Sequence, residues 1–138
     1  MRYDTRLSRV FHALLHLDLM EGPATSDTIA QMLQTDSAVV RRTMSGLREA
    51  GIVTSVKGHK GGWSLAKRLE EISLMDIYVA LGAPALFAIG NDKEETSCLL
   101  ARAANAAMVT AMESARVQFE HSLRTVTVAD LAADLRAE

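Results

Sequence analysis

Leu7, Val10, Phe11, Leu14, Leu15 and Leu17 recur at helical spacing, which predicts an amphipathic first helix over roughly residues 3–20. Glu21-Gly22-Pro23 ends it. Ser26 is the expected cap of a short second helix, 26–34, with Asp27 and Thr28 in its first turn and Ile29, Ala30 and Leu33 turned inward. Gln34-Thr35 makes the turn. Asp36 then caps a third helix, 37–50, whose apolar face is Val40, Met44 and Leu47. Gly51 stands just past its end, where a left-handed residue is wanted. From here the period shortens to about two. Residues 52–56 are mostly β-branched and read as a strand, 57–62 as a basic, glycine-rich turn, and 63–66 as the returning strand.

Beyond the hairpin, Ser73 caps a helix from Leu74 to Leu81, and Gly82-Ala83-Pro84 punctuates it. Residues 83–96 are poorly patterned and read as a loop or a short helical turn. A long run rich in Ala and Met predicts a helix over about 97–122. Thr127, with Asp130 three residues on, resembles a capping box and opens a short helix from Val128 to Leu135. The expected fold is mostly α with a small β-hairpin. It divides into a winged helix-turn-helix domain (1–82), a linker or sensor segment (83–96), and a long dimerisation helix with a C-terminal helix (97–138).

Composition narrows the function classes. The 138 residues suit one ordinary domain or a small domain with a helical arm, and 49% hydrophobic residues suffice for a core. With only 4% aromatics, that core rests on Leu, Val, Ile, Met and Ala. A single cysteine, Cys98, excludes an intramolecular disulfide framework and any Cys₃ or Cys₄ metal site within one chain. No apolar run approaches the ~18–20 residues that span a bilayer, and the first residues do not form a signal-peptide pattern. The expected compartment is therefore the cytoplasm, with no membrane partner. Charge is polarised: residues 1–68 carry ten Lys/Arg against six acids, and 69–138 carry five against eleven. A basic first half suits contact with a polyanion at one end.

In a helix-turn-helix the second helix of the motif, here 37–50, enters the major groove. With Val40, Met44 and Leu47 inward, its outer face shows Ser37, Ala38, Arg41, Arg42 and Ser45. Small residues admit a close backbone, and guanidinium forks bind guanine edges or phosphates in bidentate fashion. Alone, two arginines could equally solvate an exposed face; the basic hairpin beside them favours DNA. Its tip carries Lys57, His59 and Lys60, with glycines at 58, 61 and 62 that allow positive φ and close approach. Such a tip fits the minor groove. Ser26, at the head of the preceding helix, completes the expected DNA-facing set.

Ala50-Gly51-Ile52-Val53, Lys57-Gly58 and Gly61-Gly62-Trp63-Ser64-Leu65-Ala66 resemble the wing signature of Rrf2-type transcriptional regulators. Residues 71–77, the long helix and the 126–131 ending are also similar, so the resemblance covers nearly the whole chain. It implies a homodimer on a partly palindromic double-stranded DNA operator, most often acting as a repressor. Many such regulators hold an iron–sulfur cluster with three cysteines. This sequence departs from that pattern, because Cys98 is alone. It looks like the cluster-free branch, with no cofactor expected.

Cys98 then reads either as a redox-sensing thiol at a helix start, where the dipole favours thiolate while Glu94 and Glu95 oppose it, or as a small apolar residue. His12 and His16, one turn apart, could face one metal but lack a third ligand; an exposed helix flank is the plainer reading. Trp63 reads as structural. On the long helix, Leu100, Ala104, Ala107, Ala111 and Ser114 form a small-residue stripe, and Met108, Met112, Ala115 and Phe119 a second apolar one. Two stripes suit two partners, the chain's own domain and a second copy. The 83–96 segment is where an unnamed small-molecule or protein effector would act. No nucleophile–base constellation, phosphate loop or metal triad points to an enzyme. The alternative is a regulator that works mainly through a protein partner modulating its DNA binding.

Overall fold

The computed structural model describes residues 4–86 and 98–136. The order is α1 (Arg6–Leu19), α2 (Ser26–Leu33), α3 (Ser37–Glu49), β1 (Val53–Val56), β2 (Gly62–Leu65), a 3₁₀ turn (Leu69–Glu71), α4 (Leu74–Ala80), α5 (Leu99–Thr125) and α6 (Val128–Arg136). Among the described residues, no helix is long and apolar enough to cross a membrane.

The core lies where α1, α2, α3 and the hairpin meet. Val10, Leu14, Ile29, Val40, Met44, Leu47, Ile52 and Val53 are all buried there, as the periodicity requires. The two helices of the central motif end by the same device. After α3, Gly51 takes φ +78°, its N–H bonds Arg48 O at 3.0 Å, and Ile52 N–H reaches Leu47 O at 2.9 Å. After α2, Gln34 takes φ 53°, its N–H bonds Gln31 O at 3.3 Å, and Thr35 N–H reaches Ala30 O at 3.0 Å. Each is a Schellman-type stop that satisfies the last carbonyls. Only the first uses glycine.

Asp36 caps α3 as expected, its carboxylate accepting from Ala38 N at 2.7 Å. The cap of α2 is a correction. Thr25, not Ser26, is the N-cap and accepts from Thr28 N at 3.1 Å. Ser26 is the first helical residue, and its hydroxyl takes a hydrogen bond from Trp63 Nε1 at 2.9 Å.

β1 and β2 pair antiparallel, with Ser55 opposite Trp63 and Val56 opposite Gly62. Ala24 adds a bridge on the outer side of β2, exchanging two backbone bonds with Trp63 at 3.0 and 2.7 Å. The α1–α2 connection is thereby tied to the wing.

The chain after α4 returns to this unit. Leu74 N–H bonds Val126 O and Val128 N–H bonds Ile72 O, both at 2.9 Å. Val128 is fully buried in the core with Ile72 and Ile77. Ser73–Asp76 and Thr127–Asp130 both close reciprocal capping boxes. The long helix runs to Thr125, three residues past the expected end, because this capping box starts α6 only at Val128. Most of the 83–96 linker lies outside the described residues. At the junction, Gly82 just before it and Ala83 at its start take positive φ, and Tyr78 Oη donates to the Pro84 carbonyl.

Candidate nucleic-acid interface

A groove of about 590 Å³ opens between the start of α2, the outer face of α3 and the hairpin. It is lined by Thr25, Ser26, Arg41, Arg48, Lys57 and Trp63, among others. Arg41 and Arg48 stand seven residues apart, two helical turns, and so share one edge of α3. Arg41 Nη2 donates to Ser37 Oγ at 3.4 Å. Arg48 Nη1 donates to Ser55 Oγ at 3.1 Å, and its guanidinium lies 5.5 Å from the Trp63 ring centroid, a cation–π contact. Arg48 thus joins α3 to the wing. The outer-face set read from the sequence, Ser37, Ala38, Arg41, Arg42 and Ser45, leaves Arg48 out. Its seven-residue spacing from Arg41 was the available signal.

Arg41 and Arg42 do not face the same way. About 100° of helical rotation separates neighbours, and Arg42 lines a different cleft on the α1/α4 side of α3. Ala38 is exposed, and Ser37 and Ser45 are half-buried on the outer face. Ser26 borders the groove, but its oxygen is already engaged by the Trp63 indole. Trp63 itself is buried and structural, as expected.

At the wing tip Lys57, His59 and Lys60 are all exposed. The left-handed positions are Gly58 (φ +94°), Lys60 (φ 62°) and Gly62 (φ +146°). Gly61 is needed for a different reason. A Cβ there would sit 2.2 Å from Val56 O.

On α5, Leu100 is 79% exposed and Met108 40%, and Ala104 and Ala111 are exposed. Met112, Ala115 and Phe119 are half-buried. Phe119 meets Tyr78 of α4 edge-on at 5.5 Å. The second stripe therefore turns toward its own subunit at the lower end of the helix. Cys98 occupies the N-cap position of α5 and is exposed. His12 and His16 bring their Nε2 atoms to 2.9 Å on the α1 surface.

A family model described as Rrf2, iron-dependent transcriptional regulator, matches residues 3–134. The chain belongs to the Rrf2 family. It is 31% identical over 129 residues to YwnA of Bacillus subtilis (strain 168), described as an HTH-type transcriptional regulator, covering 93% of this chain and 95% of that one. A transcriptional-regulator structure from Lactobacillus plantarum superposes with a TM-score of 0.83 at 25% identity, over 96% of this chain and 90% of the other. CymR, the global cysteine regulator of B. subtilis, shares the fold with a TM-score of 0.64 at 23% identity, over 96% and 97% of the two chains. This Rrf2 chain is a DNA-binding transcriptional regulator and not an enzyme.

The description of the family model names iron, which raises the question of which side chains could hold a metal. The sequence has one cysteine, and among the described residues no three His, Cys, Asp or Glu side chains converge to hold a metal. One thiolate per chain falls short of the four cysteine thiolates that hold most iron–sulfur clusters.

Proposed function

We propose that two copies of this Rrf2 chain pair through α5 and act in the cytoplasm as a cluster-free repressor on a partly palindromic operator. Each copy lays α3 in the major groove and its 57–62 wing at the minor groove. The observation that carries this reading is the single groove that unites Arg41 and Arg48 of α3, the start of α2, and Lys57 of the wing. A helix with bidentate donors and small side chains reads base edges, while a cationic tip follows the neighbouring backbone. Pairing through α5 is supported by uncovered apolar residues on one face: Leu100 is 79% and Met108 40% exposed, and Ala104 and Ala111 are exposed beside them. The interface set is Leu100, Ala104, Met108, Ala111, Met112 and Ala115, with Phe119 shared with the subunit's own α4. Two-fold pairing sets the reading helices one DNA turn, or a multiple, apart.

The 83–96 segment, between reader and dimer helix, is the proposed point of action for an effector, and Cys98 at its edge the proposed redox contact. The test is a binding titration of the purified protein on duplex from its own promoter region, at two salt concentrations, with and without a mild oxidant. Tight, salt-sensitive binding with a two-fold symmetric footprint is expected. Oxidant release that disappears in Cys98→Ser assigns the signal to the thiol; release that persists in that variant excludes it. Absence of binding that is restored by a co-purified protein overturns the direct reading in favour of the partner-dependent one.

A further inference from the structure

On the edge of α3 away from the wing, a second cleft of about 350 Å³ opens between α1, α3 and α4. Arg6 and Arg9 of α1 and Arg42 of α3 line it, with Thr43, Gly46 and Leu81. Gly46 fixes its depth, since a Cβ there would already stand 3.3 Å from Ala80 O. Arg6 is committed. It grips Asp4 through Nε and Nη2 and donates from Nη1 to the Leu81 carbonyl at 3.3 Å. Arg9 and Arg42 have no ion-pair partner among the described residues. Arg9 also lines a small apolar hollow with Ala13, Ile29 and Met44, so one side chain borders both spaces.

Three arginines thus line one cleft, and among the described residues one of them, Arg6, is paired with a carboxylate, that of Asp4. Like charges held together repel, and an entering anion relieves that repulsion. Guanidinium forks match two oxygens of a phosphate group with charge-assisted bonds. We propose that Arg9 and Arg42, with Arg6 as a fixed wall, form a seat for a phosphate-type oxyanion in the α1–α3–α4 cleft. Arg42 then belongs to this seat and not to the base-reading face. The oxyanion has two sources. One is a phosphate of the duplex, gripped on the side of α3 opposite the wing; this arm rests on the DNA geometry proposed above. The other is free phosphate, which does not rest on it.

The experiment runs two titrations on the full chain. Inorganic phosphate is added at constant ionic strength, with chloride as control, while arginine Nε–H signals are followed by NMR. In parallel, duplex binding is measured against salt for the wild type, for Arg9→Gln with Arg42→Gln, and for Lys57→Ala with Lys60→Ala. If the seat holds one duplex phosphate, the Gln pair flattens the plot of log K against log salt by about 0.9 units. Arg9→Lys with Arg42→Lys, which keeps charge and stem, restores most of that slope; a merely structural defect would not be rescued this way. If the seat holds free phosphate, the Arg9 and Arg42 signals shift at millimolar phosphate and the shifts vanish in the Gln pair. A wild-type salt slope in the Gln pair, together with no phosphate response beyond chloride, overturns the seat. Should the wild type bind no duplex, the DNA reading fails, and the phosphate titration alone then upholds or overturns the seat.

Discussion

At Gly61 a Cβ atom would stand 2.2 Å from Val56 O and 2.9 Å from Gly58 O, and at Gly62 it would meet Ala24 O at 2.5 Å. Backbone cannot retreat as a flexible side chain can, so either glycine replaced by alanine must open the hairpin. Gly61→Ala is expected to cost about 1–3 kcal/mol in urea unfolding, the range for overpacked sites. Gly58→Ala has open space and suffers only its left-handed backbone, about 1–2 kcal/mol. The glycine-rich turn was legible in the sequence, but the job of each residue was not. Lys60 takes a left-handed φ that the pattern would have given to Gly61, because the Gly61 N–H must reach back to Gly58 O at 3.0 Å. Asp4 offers a second check. The side-chain hydrogen bonds from Arg6, then its backbone N–H, hold the Asp4 carboxyl at about 2 against an ordinary 3.8. A lowered folded value means that the contact contributes above the unfolded pKa and is lost as pH falls through about 2. Carboxyl NMR should place the Asp4 midpoint there in the wild type and return it toward 3.8 in Arg6→Gln.

Between elements, the outcome turned on side chains far apart in the chain. Thr25 and Ser26 are adjacent hydroxyl residues, and either satisfies the rule for a cap. The choice falls to Thr25 because Trp63, thirty-seven residues on, holds the Ser26 oxygen from across the core. That contact is invisible to any local window. Trp63→Phe removes the indole donor and part of the buried ring volume; it is expected to lose more than the ~1 kcal/mol net worth of one hydrogen bond in denaturant unfolding. The outer face of α3 was legible from its period, but not the split of Arg41 from Arg42, which depends on where the wing and α4 lie. Arg41→Ala is expected to weaken operator binding by about 1–3 kcal/mol and to relax selectivity at the base it reads. Lys60→Ala should weaken all duplexes alike and flatten the salt slope by about one unit. Fluorescence anisotropy on operator and scrambled duplexes separates these two behaviours; equal losses on both duplexes for Arg41→Ala would remove it from base reading.

In the whole molecule, α5 is about 40 Å long and packs on α4 through its lower part. Its apolar stripes stood out in the sequence, while their assignment to partners did not, because Phe119 and Leu100 look alike until α4 is in place. Phe119 packs on Tyr78 and Leu100 is open. Met108→Glu is therefore expected to weaken self-association at least tenfold, about 1.4 kcal/mol, without altering the far-UV spectrum. Analytical ultracentrifugation over a dilution series measures it; an unchanged dissociation constant would place the interface elsewhere. The strand-like tie between residues 72–74 and 126–128 has a further consequence, for synthesis on the ribosome. The reader's core lacks a member until Val128 arrives from beyond the long helix. A message broken anywhere between codons 87 and 126 still encodes α3 and the wing, yet its product cannot seal the pocket that Val128 fills. Such a fragment is expected to be cut faster by protease than the full chain; equal protease resistance of the two would show that the 126–128 tie is dispensable.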